Sequence, residues 1–312
     1  MSKALVIIKS MGIGDLVILI GNIHAISKKI NKPITVLAQK NTHANAILKN
    51  DPHVEEVIIL DKEEIKGFFN IIKKIKPKQF DQSYIFSDSI RLYLISKLSG
   101  IKENFHYKFF SKKGKNFFKT AKEFTEKTLN TEINSQPKIY VNENDMKTAK
   151  NKYNITDETK NIVCGISASG PTKRWDINNY IKLFENLNLK FKCKFFLAGG
   201  PDDEDLVKKV MNSSVGKNCI SFAAMDIAET MPIIAACKYC ISNDTGFGHI
   251  SAGLGLKSLM LFIDSPPAAY GLYNKNISIL VPEGETIETT THDTMGTISV
   301  DEVLKNALEL MN

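Results

Sequence analysis

Short β-prone runs alternate with stretches of helical period along almost the whole chain, and they do so in two series. The first series has strand-like runs at 4–9, 34–38, 54–60 and 82–86, separated by helical patterns at 16–30, 43–49, 63–76 and 89–98. The second has strand-like runs at 162–167, 194–199, 218–222, 239–242, 258–263 and 277–281, with helical patterns at 177–189, 203–211, 227–237 and 300–311. Strands separated by helices pair in parallel, so each series predicts an α/β domain with a mostly parallel sheet. At 312 residues the chain is long enough for two such domains. The polar, lysine-rich run 143–160 begins as a helix and ends as a linker, which divides the chain into 1–157 and 158–312. The last helix is free to pack back on the first domain.

Open α/β sheets bind ligands outside the carboxyl ends of their strands, so the polar turns there hold the candidate site. The first strand runs into Ser10-Met11-Gly12-Ile13-Gly14-Asp15. A dinucleotide fingerprint would need a third glycine at Val17, which disfavours a nicotinamide enzyme. Asp15 is either a reactive carboxylate at the strand end or a cap for the helix that follows. In the second series Ser242-Asn243-Asp244-Thr245-Gly246-Phe247-Gly248-His249 reads as strand, turn and helix. Asp244 stands where an N-cap belongs, Gly246 lets a backbone approach closely, and the first helical amides make an anion site. The plainer alternative is an ordinary connection with a buried, satisfied His249. Asp-Thr-Gly is also the aspartic-protease triplet, but that chemistry needs a second facing copy on β-rich lobes, which the sequence lacks.

The formal net charge of +7 favours an acidic partner. Between 101 and 127, lysines that include Lys112 and Lys113 alternate with phenylalanines and Tyr107. Such a stretch can lie on an anionic membrane, bind nucleic acid, or form a solvated lysine face over aromatic core. The usual nucleic-acid recognition motifs are absent. The five cysteines lie in or beside apolar runs, which predicts buried, reduced thiols in a cytoplasmic protein. The Cys237-x-x-Cys240 pair has no second pair to complete a zinc site. The first apolar run is too short for a signal peptide.

Three separated segments together resemble the ADP-heptose:lipopolysaccharide heptosyltransferases, glycosyltransferase family 9. They are Met11-Gly12-Ile13-Gly14-Asp15, the loop from Ser167 to Lys173-Arg174-Trp175, and the Asp244-Thr245-Gly246-Phe247-Gly248-His249 signature. The glycine-rich turn before Glu204 and the placement of Met225 are similar too. The resemblance implies a GT-B architecture, two Rossmann-like domains facing across a cleft, and inverting sugar transfer. Asp15 would be the base and Lys173 the cation on the leaving diphosphate. Ser167, Ser169, Met225, Asp244, Thr245, Gly246 and His249 would line the donor side, with Asp244 holding the turn and His249 either donating to phosphate or bracing the loop.

Glu204 would accept ribose hydroxyls, or is a surface acid at a helix start. Gly14, Arg91, Lys112 and Lys113 would serve an acidic glycolipid acceptor, though a surface arginine on a helix is an equal reading of Arg91. The implied partners are a nucleotide-sugar donor, that acceptor and an anionic membrane surface, with no nucleic acid, metal or cofactor. Two positions depart from the family pattern: Gly21 replaces a proline, and Ile263-Asp264-Ser265 replaces a Gly-Pro-Thr segment on the donor side. The first should alter only the opening helix. The second leaves open a non-catalytic or altered-specificity nucleotide-sugar binder.

Overall fold

A computed structural model of the chain describes residues 2–9, 12–108, 116–292 and 296–312. The chain divides into two compact units, Met1–Tyr140 and Val141–Asn312. In the first, β1 (Ala4–Ile8), β2 (Ile34–Gln39), β3 (Val54–Leu60), β4 (Gln82–Phe86) and β5 (Glu103–His106) form one sheet in the order β3-β2-β1-β4-β5. Every pairing is parallel. The central strand β1 is buried at every position, as a strand covered by helices on both faces must be. The helices are α1 (Ile13–Ile30), α2 (Ala44–Ile47), α3 (Lys62–Lys66), α4 (Phe68–Ile75), α5 (Ile90–Leu98) and α6 (Phe117–Leu129). Ile71 and Ile75 of α4 and Leu92 and Ile95 of α5 close one core over the sheet.

Several expectations shift here for local reasons. The helical pattern at 63–76 is two helices, because Gly67 ends α3 and precedes α4. Helix α1 starts at Ile13, so Gly14 and Asp15 belong to its first turn, and it stops at Asn31 in the left-handed conformation, φ 55. A Cβ on Gly21 would lie 2.1 Å from the Ser135 carbonyl oxygen. Glycine therefore lets the segment at Ser135 cross α1, so this departure reaches beyond the opening helix. Beside it, Thr125 of α6 donates to Asn22 at 2.9 Å.

The second unit contains α7 (Glu143–Lys152), β6 (Lys160–Gly165), α8 (Ile177–Lys190), β7 (Cys193–Ala198), α9 (Glu204–Met211), β8 (Cys219–Ser221) and α10 (Ile227–Ala236). It continues with β9 (Tyr239–Asn243), α11 (Gly246–Gly253), β10 (Lys257–Leu261), α12 (Pro267–Tyr270), β11 (Ile277–Leu280) and α13 (Val300–Met311). Its strands, all parallel, run in the order β11-β10-β9-β6-β7-β8. Helix α7, expected to precede a boundary at 157, instead belongs to this unit and packs on α10. Within the same unit α13 packs on α8 and β10. All five cysteines are buried and free. Burial pushes the Cys240 thiol up to about 12, which marks the Cys237-x-x-Cys240 pair as core.

Candidate active site

In the second sheet the chain leaves β6 for β7 on one side and returns at β9 on the other, so the carboxyl ends of β6 and β9 form a topological switch point. The two strand ends approach closely. A Cβ on Gly165 would lie 2.1 Å from the Ser242 hydroxyl oxygen, and one on Gly248 would meet the same oxygen at 2.9 Å. Small residues thus seat α11 directly on the sheet.

Asn243, fully buried at the end of β9, ties the neighbouring loop to this point. Its amide donates to the Ile166 and Ser167 carbonyls at 3.2 Å each, and its oxygen accepts the Trp175 backbone N–H at 3.0 Å. The Trp175 indole in turn donates to the Ile298 carbonyl at 2.8 Å. One side chain therefore anchors both ends of the loop that carries Ser167, Ser169 and Lys173. Sequence reasoning assigned it no role, although a buried Asn beside a glycine turn, able to satisfy several backbone groups at once, was the available signal.

Asp244 was expected to cap α11, but Thr245 does so, its hydroxyl accepting the Gly248 N–H. The Asp244 carboxylate instead meets His249 Nε2 at 3.2 Å, while His249 Nδ1 lies 2.6 Å from the Tyr273 hydroxyl. The Asp244 carboxylate can only accept, so the ring donates its Nε2–H to it and Nδ1 accepts the Tyr273 O–H, a phenol that burial, reinforced by the Asp244 charge, holds well above its usual pKa. Burial alone would also raise Asp244. The His249 hydrogen bond and attraction, the Ser265 hydroxyl and the Lys173 charge outweigh it and hold this carboxyl below its ordinary value. Both ring nitrogens are thereby engaged, which favours the bracing reading of His249. The Gly246 and Phe247 amides remain at the open start of α11.

Lys173 closes a short 3-10 turn, Pro171–Lys173, and is half-buried, as are Ser167 and Met225, whereas Ser169 is exposed. Glu204 opens α9 with its side chain 64% exposed and ion-paired to Lys208 at 3.0 Å. The acid that turns inward is its neighbour Asp203, which accepts from Arg174 at 3.1 Å and from the Gly200 N–H at 2.9 Å. This pair, unmarked by sequence reasoning, joins the glycine-rich turn after β7 to the Lys173 loop. Beyond β10, Asp264 has a buried carboxylate oxygen with no hydrogen-bond partner among the described residues.

In the first sheet the switch point lies between β1 and β4, and Gly14 and Asp15 follow β1. Asp15 is half-buried and accepts the Gly12 N–H at 2.9 Å, so the capping function is real whatever else the carboxylate does. Arg91 donates to the Ile65 carbonyl at 2.6 Å and borders a cavity of about 290 Å³. The cavity has an apolar floor that includes Ile7, Leu37 and Leu60, with Lys9, Lys62 and Lys66 also on its lining. Lys112 and Lys113 lie outside the described residues. In the described part of 101–127, Phe124 packs edge-on against Phe86 and Tyr107 at 5.3 and 5.1 Å. Lys119 and Lys122 face Glu123 and Glu126 on the outer side of α6. That is the pattern of a lysine face over aromatic core.

Residues 105–298 match the family described as glycosyltransferase family 9 (heptosyltransferase). The chain belongs to that family. Among curated proteins of similar sequence, lipooligosaccharide heptosyltransferase 2 of Haemophilus influenzae is 28% identical over 157 residues, 48% of this chain and 45% of that protein. The match thus spans less than half the length of this curated family 9 relative. Similarity of fold extends further. An E. coli ADP-heptose LPS heptosyltransferase II superposes with a TM-score of 0.77 at 19% identity, covering 99% of this chain and 98% of that one. A family 9 glycosyltransferase from Veillonella parvula gives a TM-score of 0.79 at 18% identity, covering 99% and 97%. The architecture of two parallel sheets with flanking helices is that of GT-B heptosyltransferases.

Proposed function

We propose that the chain is an inverting glycosyltransferase. It moves a heptose-type sugar from a nucleoside diphosphate donor of the ADP-heptose class to a lipopolysaccharide core or related acidic glycan. The observation that carries the reading is the braced anion site at the ends of β6 and β9. There Asn243 positions the Lys173 loop, and the Asp244-His249-Tyr273 chain holds the start of α11. The names of the relatives supply the donor and acceptor classes.

In this mechanism an acceptor hydroxyl attacks the anomeric carbon, its proton passes to Asp15, and the bond from that carbon to the β-phosphate oxygen breaks. Charge develops on the departing diphosphate. Lys173, the Thr245 and Gly246 amides and the hydroxyls of Ser167 and Ser169 receive it, so no metal or cofactor is assigned a step. Met225 contacts the nucleotide. Arg91 and the cationic lining of the first unit's cavity meet the acidic acceptor. Since that acceptor is a glycolipid, the reaction takes place at the cytoplasmic face of a membrane in peripheral contact with the enzyme.

A thermal-shift panel of ADP, GDP and UDP tests the donor half, because a ligand stabilises in proportion to its affinity for the folded state. ADP should give the largest shift. No shift with any diphosphate would end the proposal. A second reading, a nucleotide-sugar binder of altered specificity or without turnover, is favoured by one observation, the buried oxygen of Asp264 on the donor side that has no hydrogen-bond partner among the described residues. A diphosphate-dependent shift with no sugar transfer to any acidic glycan would select it.

A further inference from the structure

On α5, Ile90, Leu94 and Leu98 recur at the spacing that aligns side chains along one helical face, and they are 44%, 41% and 55% exposed. The opposite face of the same helix, with Leu92 and Ile95, is already committed to the core. Helix α4, packed beside α5, adds Phe69 at 71% exposure. Scattered exposed leucines are ordinary on a protein surface, but a row of them backed by a phenylalanine on the adjoining helix is not. A surface helix covering a water-exposed domain carries polar residues outward, and α5 does so only in part.

The charges around this layer have one sign in excess. Lys97 flanks the row on α5, with its ammonium 5.9 Å from the Tyr93 ring centre. Lys73 is exposed on α4, and α3, which packs on α4, contributes Lys62 and Lys66. Glu63 pairs with Lys66 at 2.9 Å and Glu64 with Lys74 at 2.5 Å. Lys62, Lys73 and Lys97 have no carboxylate partner among the described residues. Apolar side chains on an outward helix face, bordered by lysines, match the layering of a bilayer surface, where acyl chains lie beneath anionic phosphates. Helix α6 offers a different face, since Phe124 turns inward and Lys119 and Lys122 face Glu123 and Glu126.

We infer that the α4–α5 face of the first unit rests on an anionic phospholipid bilayer. Phe69, Ile90, Leu94 and Leu98 enter the boundary between headgroups and acyl chains, and Lys73 and Lys97 lie over the phosphates. The inference rests on the proposed reading in one respect, that a glycolipid acceptor resides in such a surface, but its test needs no acceptor.

Flotation with vesicles of phosphatidylglycerol and phosphatidylcholine, compared with phosphatidylcholine alone, provides it. The full chain should float with the anionic vesicles at low salt and lose that binding as salt rises. The double variant Leu94→Glu/Leu98→Glu should bind at least about tenfold more weakly, as should Leu94→Ser/Leu98→Ser, which removes apolar surface without adding charge. Lys119→Glu/Lys127→Glu on α6 should stay within about twofold of the unaltered chain. The inference is overturned if the leucine variants float like the parent, or if the parent ignores anionic vesicles at low salt. It is equally overturned if sedimentation shows a parent dimer that the leucine variants dissociate, since a second copy would then be the occupant. The thermal shift with ADP, measured on the same samples, should be unchanged by the leucine variants. Its absence in the parent would fail the donor reading while leaving the flotation result to stand.

Discussion

At the carboxyl edge of the second sheet, three neighbouring groups of hydrogen bonds fix the turns: Asn243 to the backbone at Ile166, Ser167 and Trp175, the Asp244-His249-Tyr273 chain, and Asp203 with Arg174 and the Gly200 N–H. At the corresponding edge of the first sheet, Asp15 caps its own helix at Gly12, and the neighbouring cavity is edged by lysines and Arg91 over an apolar floor. The contrast follows from what each edge is proposed to do. A diphosphate has the same geometry in every turnover, so donors fixed in advance stabilise its developing charge without reorganising. An acidic glycan varies in shape, and lysines on flexible stems meet it as point charges without demanding one geometry. The energetic consequence is that substitutions in the second unit should act on binding and stability together, while those in the first should act on turnover or acceptor use alone.

The sharpest break of this comparison is Asp15→Asn. The amide oxygen can still accept the Gly12 N–H, so melting temperature and ADP affinity should remain close to the parent's. Sugar transfer should fall by at least ~10²-fold, the typical contribution of a positioned base. Near-normal transfer would remove Asp15 from catalysis and leave it as a cap alone.

Next in size is Lys173→Ala. A charged hydrogen bond contributes about 1.5–3 kcal/mol, so ADP should bind roughly ten- to a hundredfold more weakly. Adenosine should be almost unaffected, because the lysine is assigned to phosphate. Equal losses for the two ligands, read by calorimetry, would show that Lys173 does not face the diphosphate.

Asn243→Ala tests whether the second site is as interdependent as its hydrogen bonds imply. The Ile166 and Ser167 carbonyls and the Trp175 N–H would lose their partner in a buried place, at a cost of about 2 kcal/mol or more. Denaturant unfolding should register that loss, and ADP affinity should drop with it because the Lys173 loop is released. A fully stable variant that binds ADP normally would mean that the loop is held by other contacts.

The two sheets were legible in the sequence because period and length separate strands from helices when they alternate strictly, as in 4–98 and 160–263. Less regular pieces were not. β5 lies at a sheet edge with every residue at least partly exposed, so it lacks the apolar run that marks β1, and the lysines around it masked its pairing with β4. The site was legible as a set of turns at strand ends, but not in its wiring. Asp and Thr are both good caps, and only the fold reveals that His249 draws Asp244 away and leaves Thr245 the task. Tyr273 completes the chain from beyond β10, a separation that no local motif can report.

The smallest expected effect concerns Glu204, which the family resemblance implies as the acid for the nucleotide's ribose, and its neighbour Asp203. Glu204 points to solvent and is paired with Lys208 one helical turn away, an exposed arrangement in which water and salt screen most of the interaction. Asp203 is buried, and its two oxygens tie Arg174 to the Gly200 turn. Glu204→Ala should therefore change ADP affinity by no more than about twofold and leave unfolding unaltered. Asp203→Ala should lower stability, since it leaves the partly buried Arg174 guanidinium without its carboxylate. The pair of substitutions discriminates between the two readings of Glu204. If Glu204→Ala weakens ADP tenfold while leaving ADP lacking both ribose hydroxyls equally bound, the exposed acid does reach the ribose, and the donor site extends one residue farther along α9 than Asp203.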